Sequence, residues 1–364
     1  SDVYKRQNLY IYNTLHIKGL KLIENRVNRL ILGDGTFSQY SMVYHRMVLD
    51  MVSVLEIFRK KLFLDSFSRD FYSKVGKAIY WYQSMIDIRS GGAPNLGGND
   101  GTYLFNIDGK EYRDFRPSLL LASAVFKVPI KRQFNSKHIL QSVFSLDHLS
   151  SELNKIKPEA HMEGGFLKLV RSNGMLWLRC PKFIFRPSNA DALHVDIWNN
   201  GVNWIRDAGS YSYALSLNEH NIFSGTRGHS TIQFDNRNQM PKVSRFLFAE
   251  WLKPKFIEYD IFKSNLSSAY VDFRNNFHQR SVSKINNGWR VDDKVISING
   301  IDAKGKKMND LLSDTRGTVS MKIKKRFGIS EIDLECGHFF PIYKLQKLEN
   351  ADDKQLLFRT VWAK

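Results

Sequence analysis

Two periodicities divide the chain. Before about residue 150, apolar residues recur at steps of three and four, the spacing of one face of an α-helix. Such stripes run over Met47–Leu62, Phe71–Met85 and Leu119–Phe126. From about His161 onward, apolar and polar residues alternate in short runs rich in β-branched and aromatic residues, which is typical of strands. The pattern therefore predicts antiparallel helices followed by an antiparallel β-sandwich.

The second half contains several predicted strands, separated by turn signals at Ser172–Gly174 and Asn199–Gly201. These strands are Phe166–Val170, Met175–Arg179, His194–Trp198, Ser230–Phe234, Phe277–Val282 and Lys294–Ile298. Between the second and third helices, the glycine-rich segment Ser90–Gly101 is predicted to be a loop. It is either a plain connector or the polar rim of a ligand cleft.

Length and charge narrow the possible functions. The 364 residues are enough for roughly two domains. Lysine and arginine total 54 against 36 acidic residues, and the resulting net charge of +18 attracts nucleic acid, anionic lipid or acidic polysaccharide. The basic clusters Lys304–Lys307 and Lys322–Arg326 come without a nucleic-acid-binding motif, so we do not expect nucleic acid as the partner. No apolar run reaches the roughly 18 residues of a membrane span, and two cysteines do not indicate a compartment.

The segment Phe37–Arg46 has the densest group of reactive side chains in the first half. It lies at the start of a predicted helix, where Ser38 or Ser41 is a candidate N-cap. Tyr44 and His45 are then either core residues or members of a cleft, and helical spacing does not decide between these two readings.

Motifs in both halves resemble the heparinase II/III-like family of polysaccharide lyases, over roughly residues 30 to 300. The first half contributes Asp34-Gly-x-Phe-Ser-Gln-Tyr-Ser-x-x-Tyr-His-Arg46, Gly97-Gly-Asn-Asp-Gly101 and Asp114-x-Arg116. The second half contributes Ser188-Asn-Ala-Asp191, Asp207-Ala-Gly-x-Tyr-x-Tyr213 and Gly228-His-Ser-Thr231 followed by Asp235.

The resemblance implies an α+β multidomain fold. Residues 1–155 would form an incomplete (α/α) toroid and residues 156–364 an antiparallel β-sandwich, with an acidic glycan bound between them. Further toroid helices are expected ahead of residue 1. The implied reaction is β-elimination at a uronic acid, in the periplasm or outside the cell. The alternative is a glycan-binding or glycan-processing protein of surface polysaccharide metabolism with the same fold.

The resemblance also implies roles for individual residues. Gln39 would neutralise the uronate carboxylate, while Tyr44 and His45 from the helices and Arg227 and His229 from the sandwich would transfer protons. The residues expected to bind substrate are Tyr40, Asn95, Asn99, Asp100, Arg116, Asn189 and Asp191.

Two further expectations concern a tyrosine and a metal. The family's catalytic tyrosine is expected in or near Gly91–Asp100, where this chain has none, the nearest being Tyr82 and Tyr103. Some relatives hold a structural zinc, for which His229 and His278 match two ligand positions and Glu250 or Asp260 is in range as the third.

Overall fold

The computed structural model describes residues 2–105, 109–131, 139–146, 150–151, 159–210, 212–234, 237–260, 262–286, 288–297, 340–346 and 355–363. The predicted domain boundary between residues 155 and 156 lies outside the described residues, as do the basic clusters Lys304–Lys307 and Lys322–Arg326. No helix in the described ranges is both long and apolar enough to cross a membrane.

The first half is a layer of packed helices. Its elements are α1 (Asp2–Leu30), α2 (Met42–Lys61), α3 (Arg69–Met85), α4 (Arg116–Phe126) and the short α5 (Ile139–Val143). α2 and α3 begin at serine N-caps, where the hydroxyls of Ser41 and Ser68 accept hydrogen bonds from the N–H groups of Tyr44 and Phe71. The three predicted helical stripes are confirmed.

The second half contains two large antiparallel sheets. The first has the strand order β3 (Glu159–His161), β4 (Phe166–Arg171), β5 (Gly174–Arg179), β6 (Val195–Asn199) and β7 (Val202–Ile205). The second has the order β10 (Pro254–Asp260), β11 (Asn265–Val271), β12 (Asn276–Ile285), β13 (Gly288–Ser297), β15 (Gln355–Ala363) and β14 (Phe340–Gln346).

Smaller elements complete the described fold. β1 (Ile130–Lys131) pairs with β2 (Ser150–Ser151), and β8 (Lys242–Ser244) pairs with β9 (Leu247–Phe248). The helix α6 (Leu217–Ser224) and a 3₁₀ turn at Thr226–Gly228 lie between β7 and β8.

The first sheet is buried on both faces, so the protein has three layers. Along β4 and β5, Leu167 and Leu176 belong to the core shared with the second sheet. Their neighbours Phe166, Met175 and Trp177 belong instead to the core shared with the helices. Successive strand residues point to opposite faces, and here both faces are covered.

The expected α+β fold is confirmed, but one predicted strand is wrong. Ser230–Phe234 is irregular, although its sequence alternates like a strand. The Ser230 N–H donates to Nδ1 of His194 at 2.8 Å, and its carbonyl accepts from the guanidinium of Arg280 at 2.5 Å. The Ser230 carbonyl also accepts from the Val195 N–H of β6 at 3.4 Å, so the segment meets the sheet at this point, while side chains take its other hydrogen-bonding positions at Ser230.

Candidate active site

A cavity of about 410 Å³ lies where the helical layer meets the sandwich half. Both halves contribute to its wall, and the helical layer supplies the start of α2 and the glycine-rich loop. The lining residues are Phe37, Gln39, Tyr44, Met47, Gly98, Arg186, Ser188, Asn189, Ser210, Tyr213, His220, Phe223, Ser224 and Phe246. A cavity with convergent polar groups between two structural units is a typical ligand site.

Two tyrosines from different halves meet at this cavity. The hydroxyls of Tyr44, on α2, and Tyr213 lie 3.0 Å apart. Burial, followed by the hydrogen bond to Tyr213 and the nearby Asp100, raises the pKa of Tyr44 far above its ordinary value. Burial also raises the pKa of Tyr213, whereas the hydrogen bond with Tyr44 and the positive charge of Arg186 act in the opposite direction. The two phenols are therefore unequal members of one hydrogen-bonded pair.

Glycines in the loop allow this tyrosine pair to form. A side chain at Gly98 would make its Cβ collide with the Tyr213 hydroxyl and lie 3.3 Å from the Tyr44 ring. Gly97 has a φ of +65°, a conformation in which glycine is unstrained. The loop therefore passes close behind both rings.

The same loop is fastened to both halves. The Ser41 hydroxyl donates to the Gly98 carbonyl at 2.6 Å. The Ser210 hydroxyl donates to the Gly97 carbonyl at 3.2 Å and accepts from the Asn99 N–H at 3.1 Å. Of the two interpretations of the loop, this geometry favours the rim of a cleft.

Two amide side chains complete the polar part of the wall. Gln39 is half-buried, and Asn189 is only 2% exposed. The Asn189 Nδ2 atom has no hydrogen-bond partner among the described residues. A buried, unpaired N–H donor at a cavity wall is costly unless a ligand or water accepts from it, so it marks a binding position.

Three buried side chains form a possible metal centre beside Asn189. One ligand atom each from Asp191, Asp207 and His229 lie within 4.8 Å of one another. His229 Nδ1 lies 2.8 Å from the Gly225 carbonyl, and His229 Nε2 lies 3.3 Å from Asp207. When Nδ1 donates to that carbonyl, the Nε2 lone pair of the neutral imidazole is directed to the carboxylates, which is the arrangement that zinc-binding histidines use.

Comparisons with known proteins give a family match within the second half of the chain. Residues 160–314 match the family described as Heparinase II/III-like, C-terminal. This region of the chain is therefore similar to the C-terminal part of heparinase II/III-like proteins. The resemblance noted in the sequence and the expected fold class are both confirmed. No curated protein matches the chain.

Solved structures support the same fold. A heparinase III, the BT4657 gene product, matches with a TM-score of 0.56 and 18% identity over 77% of this chain and 41% of that one. The heparan sulfate lyase HepC from Pedobacter heparinus matches with a TM-score of 0.53 and 19% identity, again over 77% and 41%. A HepC mutant matches over 95% of this chain and 53% of its own, with a TM-score of 0.55 and 16% identity. The chain thus spans 41% to 53% of the length of these structures, and the likeness is one of fold.

Within this heparinase II/III-like fold, His45 lies in the helical core and not at the cavity. It is 1% exposed, stacks on Trp81 at 4.6 Å between ring centroids, and bonds the Ala78 carbonyl through Nε2 at 3.0 Å. Burial lowers its pKa to about 3. Its position contradicts the predicted proton transfer in the cleft, because the ring faces α3.

Tyr40 also differs from its prediction as a substrate-binding residue. It precedes α2 with a φ of +51°, and its ring packs against Phe166 and Phe183. Its hydroxyl accepts hydrogen bonds from the N–H groups of Ile184 at 2.9 Å and Phe185 at 3.1 Å. Tyr40 therefore joins the helical layer to the sandwich half.

Four other predicted residues do not line the cavity. Arg227 is exposed on the 3₁₀ turn, and Arg116 pairs with Asp114 at 2.8 Å. Asn95 packs against Gly209, where any side chain would collide with it. Asn99 Oδ1 accepts from the Tyr112 hydroxyl at 2.6 Å. These contacts hold loops in place.

The predicted pairing of His229 with His278 as zinc ligands is not what the structure shows. His278 Nε2 lies 2.7 Å from Asp293, which also pairs with Arg280 at 2.7 Å. The described three-ligand cluster contains His229 but not His278, Glu250 or Asp260. Asp191, expected to bind substrate, and Asp207 take the ligand positions beside His229.

Sequence reasoning missed Tyr213, Arg186 and His220 as wall residues. Tyr213 is the last residue of the motif Asp207–Tyr213. Because Gly91–Asp100 contains no tyrosine, the tyrosines of that motif were the next candidates for the catalytic tyrosine. Arg186 and His220 carry no local signal, because only the packing around Phe246 brings them to the cavity.

Proposed function

We propose that this protein cleaves a uronate-containing acidic polysaccharide by β-elimination. The observation that carries the proposal is the contact of Tyr44 with Tyr213 at 3.0 Å, in a cavity that also presents the amides of Gln39 and Asn189. Proton-transfer groups and donors for a carboxylate thus share one wall. The net charge of +18 favours an anionic substrate.

The reaction has a defined proton balance. A base takes the proton from C5 of the uronate, a double bond forms between C4 and C5, and the bond from C4 to the glycosidic oxygen breaks. That oxygen takes up a proton from an acid. Negative charge builds on the uronate carboxylate as the C5 proton leaves, so N–H donors placed on the carboxylate stabilise the transition state.

The structure supports a division of these roles. We assign carboxylate binding to the amides of Gln39 and Asn189, because Asn189 has a buried donor with no partner among the described residues. Tyr44 is the acid, since its raised pKa keeps it protonated. Burial raises the pKa of Tyr213, but the hydrogen bond with Tyr44 and the charge of Arg186 act against burial and stabilise its phenolate, so we assign Tyr213 as the base. The hydrogen bond itself raises the pKa of Tyr44 and lowers that of Tyr213, so it favours Tyr44 as the protonated partner.

We also propose that Asp191, Asp207 and His229 hold a structural zinc ion. Two carboxylates and one imidazole are ligands that zinc accepts, and the cluster is buried. When bound, zinc would crosslink the segments that carry Asn189 and the turn before Ser230. The chain's own part is to keep these ligands together, which His229 does by bonding the Gly225 carbonyl.

The test is ultraviolet absorbance during incubation with heparan sulfate, hyaluronan and alginate, because the unsaturated product absorbs. One polymer should give a rise that Tyr44→Phe and Tyr213→Phe abolish and that Tyr80→Phe, an exposed tyrosine on α3, leaves unchanged. Binding of a polymer without any rise would replace cleavage by glycan binding. We expect the protein to act in the periplasm or outside the cell, where such polymers occur.

A further inference from the structure

His220 and Arg186 approach the cavity on either side of Phe246. His220, on α6, lines the cavity and packs edge-on against the Phe246 ring, with 5.4 Å between centroids. Arg186 also lines the cavity, and its Nη1 donates to the Phe246 carbonyl at 2.8 Å. An imidazole and a guanidinium are thus fixed on the same aromatic residue.

Lys242 lies behind His220 and fixes its tautomer. Its Nζ lies 2.8 Å from His220 Nδ1 and 2.5 Å from the Ser224 hydroxyl. The Ser224 hydroxyl donates its own hydrogen to the His220 carbonyl at 2.7 Å, so its oxygen accepts the hydrogen bond from the Lys242 ammonium. Because an ammonium only donates, Nδ1 accepts and Nε2 carries the hydrogen of the neutral ring.

The surroundings of His220 are positively charged. Burial, then Lys242 and Arg245, lower the pKa of His220, so the ring is a neutral donor at neutral pH. Burial and Arg245 lower the pKa of Lys242 to about 8, which leaves it mostly charged at pH 7. Arg245 donates to the carbonyls of Tyr213 and Leu215. Among the ion pairs of the described residues, none joins Arg186, Lys242 or Arg245 to a carboxylate.

We infer that His220 and Arg186 form a subsite for an anionic oxygen group of the sugar chain, a carboxylate or a sulfate, and that Lys242 positions His220 for it. The inference rests on the proposed function in taking the ligand to be an acidic polysaccharide. Cations without carboxylate partners at a cavity wall attract an anion, and an N–H donor with a fixed tautomer orients it. Lys242 acts through His220 and is a positioning residue.

The experiment measures binding without cleavage. In a Tyr44→Phe background, isothermal titration calorimetry compares tetrasaccharides of heparan sulfate, unsulfated heparosan and neutral chitin. His220→Phe and Arg186→Met should each raise Kd for an anionic tetrasaccharide about tenfold, as expected for a lost charged hydrogen bond. Chitin binding should not change. His220→Gln keeps a donor and should retain most of the affinity, while Tyr80→Phe is the control.

The comparison of the three tetrasaccharides identifies the bound group as a sulfate or a carboxylate, and it can also overturn the inference. A loss confined to heparan sulfate indicates a sulfate, and an equal loss with heparosan indicates the carboxylate. The inference is wrong if Kd changes less than twofold, if chitin is affected equally, or if neither anionic tetrasaccharide binds. If the wild-type protein gives no absorbance rise although the tetrasaccharides bind, elimination is refuted and the subsite stands.

Lys242→Met separates positioning from a merely structural role. The titratable or charged groups around His220 are Lys242, Arg245, Arg186 and Tyr213, and the substitution removes the nearest cation. His220 should then protonate at a higher pH, so binding of heparosan should strengthen between pH 7 and about 5.5 more than in the parent. Lys242→Arg should restore the parent profile. An equal loss of affinity at both pH values would contradict the assignment.

Discussion

Tyr40 and Tyr44 are one helical turn apart in sequence, yet Tyr40 joins the two halves of the protein and Tyr44 lines the cavity. Replacing Tyr40 by Phe removes one oxygen that accepts two backbone hydrogen bonds, from Ile184 at 2.9 Å and from Phe185 at 3.1 Å. The ring itself keeps its place, with the Arg179 guanidinium 4.7 Å from its centroid. The change therefore isolates the two hydrogen bonds.

The magnitude follows from the exposure of the two donors. A buried donor left without an acceptor costs about 1–3 kcal/mol. Ile184 is exposed, so water can replace Tyr40 there, whereas Phe185 is half-buried. Because neither residue is fully buried, we expect Tyr40→Phe to lower the free energy of unfolding by about 0.5–1.5 kcal/mol, most of it from Phe185.

Urea unfolding followed by tryptophan fluorescence measures this loss, and Tyr44→Phe is the matched comparison. Tyr40→Phe should lower the unfolding midpoint and leave glycan binding unchanged. Tyr44→Phe should abolish elimination with a small effect on the midpoint, because its hydroxyl faces the cavity. If Tyr40→Phe leaves the midpoint unchanged but weakens glycan binding, Tyr40 binds substrate and this reasoning fails.

Three further predictions concern the base, a buried ion pair and the metal cluster. Tyr213→Phe should lower the elimination rate at least a hundredfold with Kd unchanged, and a weakened Kd with normal turnover would argue for a binding role instead. Burial raises the pKa of Asp293, but Arg280 and its histidine partner outweigh burial and hold it at about 2. Asp293→Asn should therefore lower the free energy of unfolding by about 3–5 kcal/mol at pH 7, and the difference should shrink as pH falls from about 4 toward 2. A gap independent of pH would exclude the charge as its cause. Zinc should raise the melting temperature of the wild type but not of Asp207→Asn, and equal shifts in both would place zinc elsewhere.

The sequence predicted the secondary-structure elements well, but it predicted less well which residues contact each other in three dimensions. The stripes of α2 and α3 and the alternation in β4 are local patterns, and the structure confirms them. Whether His45 faces a cleft or a neighbouring helix depends on how α3 packs, which no pattern within α2 records. Ser230–Phe234 has a strand-like alternation, yet Arg280, fifty residues away from Ser230, takes one of its carbonyls.

Residues of the candidate site were predicted only where they lie in a motif that resembles the family. Gln39, Tyr44 and Asn189 lie in motifs and line the cavity. The acid–base partner of Tyr44 is not a neighbour along the chain, because 169 positions separate it from Tyr213. Such pairing is a property of the three-dimensional fold, so a single sequence leaves it open.

Because both faces of the first sheet are buried, the protein cannot be cut between the helices and the sandwich half without exposing one face of that sheet. Phe166, Met175, Trp177 and Trp198 are each at most 5% exposed, and they share a core with the helices. A fragment expressed from residue 160 onward would begin at the matched family region, yet it would present these four large side chains to water. Such a fragment would self-associate, so the region that sequence comparison delimits is smaller than the unit that can be purified as a monomer.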